Sequence, residues 1–249
     1  MRTCWIQFKR EIGAILLSPI AYVLLVCFTL LNAFSFQFCV ELMALGVRNV
    51  SIMQIFFQTF FFWFILILFI PIMTMRLFSE EYKTGTIEML MTAPVREWEI
   101  VLAKFLGALA FYVVLWLPTL LFYFSFQVVT NHQLPVNWPS LGLGYAMVFM
   151  IGMFYISIGI FASALTKNQI VAAVISFAAI SMLFFCAFLE FFVTNAKLVE
   201  MISYISARNH TITFGSGSFD SRPVIFYLSG TLLFLILTER TLAFRKLKA

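Results

Sequence analysis

Six apolar runs, each close to the length that crosses a bilayer, constrain this chain more than any other feature. They occupy residues 20–40, 55–75, 101–129, 141–165, 170–192 and 224–238, and a helix needs roughly 20 apolar residues to span the hydrocarbon core. The last run is short: either it starts near Ser221, or Arg222 and Arg240 snorkel outward from a locally thinned bilayer. Only 11% of the 249 residues are charged while 63% are hydrophobic, and the mean hydropathy is +1.01. A soluble domain carries about 25% charged residues, so no water-soluble fold hides this much apolar side chain. In lipid every backbone amide must be satisfied within its own segment, which makes the expected fold all-α. The chain reads as one polytopic membrane domain over residues 1–249, with no linker or low-complexity block to mark a second.

The sixteen Lys and Arg residues give that domain an orientation, because cytoplasmic loops collect positive charge. Twelve fall on one side: Arg2, Lys9 and Arg10; Arg76, Lys83, Arg96 and Lys104; Lys167; and Arg240, Arg245, Lys246 and Lys248. Four fall on the other, at Arg48, Lys197, Arg208 and Arg222. Six spans with both termini in the cytoplasm fit this division.

Ahead of the first span, residues 3–17 place Trp5, Phe8, Ile12, Ile15 and Leu16 at helical spacing, with Gln7, Lys9 and Arg10 off that stripe. The pattern predicts an amphipathic helix lying in the membrane interface. Charges interrupt it and a full-length span follows, so it does not read as a cleaved signal peptide. Cys4, Cys27, Cys39 and Cys186 have no CxxC spacing and read as packing residues, not as a metal or disulfide framework.

The segment from Arg76 to residue 100 is the charge-dense part of the chain, with five of its eleven acids. Its punctuation predicts a helical extension of the second span that stops near Gly85, a short helix capped by Thr86 with Glu88 in its first turn, and a third helix opened by Pro94. A compact, capped, mixed-charge projection suits a protein that receives mechanical work from a soluble motor. Charge by itself also suits an ordinary solvated loop.

Within it, the run from Ser79 to Lys104, Ser-Glu-Glu-Tyr-Lys-Thr-Gly-Thr-Ile-Glu followed by Pro-Val and Glu-Ile-Val-Leu-Ala-Lys, resembles the signature of ABC-2 type transporter permeases. His210 to Phe214, Gly217, Asp220, Tyr227-Leu-Ser and the basic tail Leu242 to Lys248 are similar to the gliding-motility-associated subgroup. Ala103 stands where Gly is frequent in the family. The resemblance implies a six-span subunit in a bacterial inner membrane, working as a dimer with a second copy or a paralogue. It implies a separate cytosolic ATPase that holds ATP and Mg and docks on the loop after the second span. Glu80, Glu81, Gly85, Thr86, Glu88 and Pro94 are then the expected coupling positions. On this reading the chain is not itself an enzyme, binds no cofactor directly and has no nucleic-acid partner.

What is missing from the sequence agrees with that division of labour. There is no GxxxxGK[ST] loop to cradle phosphates. His132 and His210 belong to no HExxH, and no GxSxG or intramembrane carboxylate pair occurs. Glu190 falls near the outer end of the fifth span, where a carboxylate needs no proton-relay role. Pro118 predicts a kink in the third span, and Gly142, Gly144, Gly152, Gly159 and Ala162 would let the fourth span approach its neighbours closely. Residues 193–222 form a long external connection with a helix expected over 198–206 and a polar turn through Gly215 to Ser218. An ATP-independent transporter or channel is the alternative, but it should show matched broken helices or an internal repeat.

Overall fold

The computed structural model describes residues 2–45, 51–87, 96–129, 138–192 and 195–246. It is helical throughout these residues, and six of the helical stretches are long and apolar enough to cross a membrane. In chain order the helices are α1 (Arg2–Leu16), α2 (Pro19–Ala44), α3 (Ile52–Gln58), α4 (Phe60–Thr74), α5 (Arg76–Thr84), α6 (Glu97–Val129), α7 (Trp138–Leu165), α8 (Gln169–Cys186), α9 (Ala196–Ile205), α10 (Ala207–Gly215) and α11 (Ser221–Lys246). A 3-10 turn, Ala187–Phe191, extends α8.

Helices apolar all round belong in the middle of a membrane bundle, and α4, α6 and α7 form that middle. α2, α8 and α11 flank it with most of their surface outward, presenting side chains such as Val23, Val26, Leu30, Val174, Phe185, Leu232 and Ile236. The small residues of α7 are what let the centre close. A methyl group on Gly152 would lie 2.2 Å from the Tyr112 ring, and one on Gly159 would lie 2.1 Å from Thr74 Oγ1. Gly144 meets Met53 in the same way, whereas Gly142 faces open space. α6 continues as a helix through Pro118.

The structure departs from the expected spans at the second, begins the sixth at Ser221 as one of its two readings had it, and places a helix where one was expected over 198–206. Residues 55–75, read as one run, are two helices separated by an extended Thr59, with φ −70° and ψ 140°. Side chains make that break tolerable in an apolar setting: Thr59 Oγ1 donates to the Phe56 carbonyl at 2.6 Å and Trp63 Nε1 to the Phe57 carbonyl at 2.9 Å. The short sixth run belongs to a helix that starts at Ser221 and ends at Lys246. The long connection after α8 folds into α9 and α10, with Ser206 capping α10 through the Asn209 amide.

At this end of the bundle Ser51, Ser140 and Gly215 join α3, α7 and α10. Ser51 Oγ donates to the Gly215 carbonyl at 2.6 Å, and Ser140 Oγ donates both to Ser51 Oγ at 2.9 Å and to the same carbonyl. Glu190 accepts a hydrogen bond from Asn209 Nδ2 at 3.1 Å, a local tie between the 3-10 turn and α10.

Candidate functional site

At the other end α5 grows out of α4 with only Met75 between them. Its pattern is amphipathic: Leu77, Phe78, Ser79 and Tyr82 are buried, while Glu80, Lys83 and Thr84 are exposed. It stops where the sequence predicts. Gly85 adopts φ 75°, a left-handed conformation that glycine accepts without strain and that ends helices. Thr84 Oγ1 donates to the Glu80 carbonyl at 2.9 Å and shares a 3.0 Å hydrogen bond with Thr86 Oγ1, so both exposed threonines brace this corner.

Three contacts fix α5 to the rest of the molecule. The first is at its root, where Ser163 of α7 inserts its hydroxyl into the α4–α5 joint. Ser163 Oγ accepts from the amides of Phe78 at 3.0 Å and Ser79 at 3.1 Å, and donates to the Met75 carbonyl at 2.9 Å. One side chain thereby satisfies amides at the start of one helix and a carbonyl at the end of another. The Ser79 hydroxyl adds a bond to the same Met75 carbonyl.

The second contact is ionic and buried. Lys104 of α6 is 3% exposed, and its ammonium lies 2.8 Å from Glu81 Oε1 of α5 and 3.0 Å from Glu11 Oε1 of α1. It also sits 5.2 Å from the centre of the Phe78 ring. Three helices distant in sequence thus meet on one charge, which is costly to bury alone and tolerable between two carboxylates. α1 reaches this position because Gly107 lets it approach α6: a methyl group there would be 3.1 Å from Glu11 Cβ.

The third contact comes from the end of α11. The Arg245 guanidinium stacks 4.5 Å from the centre of the Tyr82 ring, and its Nη2 donates to the Leu165 carbonyl at the end of α7 at 2.7 Å. Lys246 pairs with Glu97 in the first turn of α6 at 2.7 Å; both are partly exposed, so this pair contributes little to stability. α1, α5, the start of α6, the end of α7 and the end of α11 therefore share one basic end of the bundle.

The expected coupling positions divide here. Glu80, Gly85 and Thr86 are exposed on α5 and its cap, whereas Glu81 is turned inward onto Lys104. Glu88 and Pro94 lie outside the described residues. Glu11, Tyr82, Lys104, Ser163 and Arg245 were not singled out by sequence reasoning as site residues. Glu11 carried a signal, being the only acid in the first forty residues; Ser163, one serine among many small residues, carried none. Among the described residues no three His, Cys, Asp or Glu side chains gather as a metal site would require.

No curated protein matches the chain. A family model described as ABC-2 family transporter protein matches residues 12–244, a span that takes in the end of α1, α5 with Lys104 and Ser163, and the six long apolar helices up to the last two residues of α11, but not Glu11, Arg245 or Lys246. With that match extending over nearly the entire sequence, the chain belongs to the ABC-2 family of transporter proteins.

Proposed function

We propose that this chain is the membrane-spanning half of an ATP-driven transporter, acting as an exporter, in which α5 and the residues up to 100 receive force from a separate cytosolic ATPase. The observation that carries the reading is the buried Lys104 bridge to Glu81 and Glu11, together with the Ser163 joint. A lever works only if its root is stiff, and α5 is rooted in α1, α6, α7 and α11 while its tip, at Glu80 and Lys83 through Thr86, stays exposed. A push on the tip is therefore passed to four helices at once.

In this reading Glu80, Gly85, Thr86, Glu88 and Pro94 form or shape the docking surface, and Glu81 acts from within by holding α5 on Lys104. ATP and Mg belong to the partner. The basic end faces the cytoplasm of a bacterial cell, both termini included, in keeping with twelve of its sixteen Lys and Arg residues. The outward apolar faces of α2, α8 and α11 contact lipid and a second copy or a paralogue. Assignment to the gliding-motility-associated subgroup rests on the likeness of residues 210–229 and 242–248 alone.

The test is affinity purification of a tagged copy from its native membrane, with ATPase activity measured for the unaltered protein and for Glu88→Arg. A Walker-motif protein that co-purifies with the unaltered chain, and whose association or coupling is lost in Glu88→Arg, supports the coupling role. A preparation free of ATPase that still moves solute in vesicles makes the chain a self-sufficient transporter and removes the reading.

A further inference from the structure

A cleft of about 350 Å³ opens between α1, the start of α2, the α4–α5 joint and α6. Its inner wall is apolar, with Ile15, Leu24, Ile72, Met73 and Phe111. Its mouth carries three bases, Arg10, Arg76 and Lys104, and three acids, Glu11, Glu80 and Glu81. The two zones meet at Arg76, immediately beyond the apolar α4, so the cleft straddles the boundary between hydrocarbon and water.

Two polar atoms of its lining residues lack a protein partner. Arg76 Nε and Glu81 Oε2 are both buried without a hydrogen bond, although Glu81 Oε1 is held by Lys104. One is a donor on a cation and the other an acceptor on an anion. Buried charge-bearing groups of this kind are costly when left unmet. A ligand that met both groups and the inner wall would supply an anionic acceptor, a cationic donor and an apolar tail. The balanced mouth also disfavours a ligand of net charge.

We propose that the cleft holds one phospholipid with a primary-ammonium headgroup, a phosphatidylethanolamine, with its phosphate on Arg76 and its ammonium on Glu81 Oε2 and Glu80. A trimethylammonium headgroup has no N–H to donate to either carboxylate. A headgroup bearing only negative charge leaves Glu81 unmet and sits beside three acids. A free phosphate leaves the apolar wall empty. Such a lipid would wedge between α1 and α5 and so become part of the root on which α5 stands; the binding itself does not depend on the ATPase reading.

The experiment uses the full chain, delipidated in detergent, with phosphatidylethanolamine, phosphatidylcholine and phosphatidylglycerol of identical acyl chains offered in turn and retention read by native mass spectrometry. Phosphatidylethanolamine is expected to be retained about tenfold more strongly than the other two, the order of one hydrogen bond to a charged group. Arg76→Gln should lower retention of both zwitterionic lipids, and Glu80→Gln should narrow the preference for ethanolamine over choline. Equal retention of the three lipids, or a preference untouched by both variants, overturns the proposal. Should either variant fail to fold, a phosphatidylethanolamine with a photoreactive acyl chain, applied to the unaltered protein, takes its place. Labelling at Leu24 or Met73 supports the site, and labelling confined to other faces rejects it.

Discussion

Ser163 donates a hydrogen bond to the carbonyl of Met75 at 2.9 Å, across 88 positions of sequence. The same hydroxyl accepts from two amides of the helix that follows, so the α4–α5 joint is closed by a side chain from α7. Ser163→Ala removes all three bonds from a position that is fully buried. Buried groups left unmet cost about 1–3 kcal/mol. The variant should melt earlier in detergent, and protease should cut near residues 75–79 faster than in the unaltered protein. Unchanged cleavage there would show that the joint is held without Ser163.

Close packing at the centre gives a sharper test. Gly152→Ala would place a methyl group 2.2 Å from the Tyr112 ring. That ring cannot swing aside, because Tyr112 is fully buried and its hydroxyl donates to the Val148 carbonyl at 3.0 Å. Overpacking of this kind costs about 1–3 kcal/mol. Gly142→Ala, on the same helix but with nothing within 4 Å, serves as the control and should not lower the melting temperature. If both variants melt alike, α6 and α7 are not packed as closely as this.

The contrast between these glycines also shows what was legible in the sequence. The apolar runs announce six long helices because length and hydropathy are local properties, and Gly85 announces the end of α5 because only a special backbone conformation is at stake. Which small residue on α7 meets a ring and which meets open space depends on helix rotation, and composition says nothing about that. The break at Thr59 was hidden for a related reason. Only Gln58 and Thr59 interrupt the aromatic and aliphatic residues there, too little to mark a helix end, and what makes the break tolerable is a pair of side-chain bonds from Thr59 and Trp63. At the site, the run from Ser79 to Lys104 could be recognised as a unit. The inward turn of Glu81 could not, since Glu11, which shares Lys104 with it, lies on a helix some seventy residues earlier.

His210 gives the protein a predictable acid sensitivity. It lies in α10, outside the six long apolar helices, with Nδ1 3.2 Å from the Tyr227 hydroxyl, and burial pushes its pKa down to about 4 although Asp220 pulls the other way. In the unfolded chain a histidine titrates near 6.5. Above that pH the residue is neutral in both states and costs nothing. As pH falls from about 6.5 towards 4 the unfolded state takes up a proton that the folded state refuses, so stability declines, by about 3 kcal/mol across the window. Melting in detergent at a series of pH values should show this fall. His210→Gln, which cannot titrate, should flatten the part between about pH 6.5 and 5, where carboxylates contribute little. A slope unchanged in the variant would place the sensitivity elsewhere.

Lys104 offers the test that joins stability to force transmission. Lys104→Met leaves the carboxylates of Glu11 and Glu81, 17% and 16% exposed, facing one another without the ammonium that joins them. Removing one partner of such a buried pair costs about 3–5 kcal/mol, whereas replacing every charge by neutral groups of similar size is often close to neutral. The triple variant Glu11→Gln, Lys104→Met, Glu81→Gln should therefore recover most of the lost melting temperature. It should not recover coupling. The ionic contact that ties α1, α5 and α6 is gone in the triple variant, so α5 can move without carrying α1 and α6 with it. ATPase stimulation by substrate should stay low even though the protein is folded and inserted. If the triple variant is as stable and as well coupled as the original, the bridge is only a way of burying a lysine, and the stiffness of α5 comes from Ser163 and Arg245.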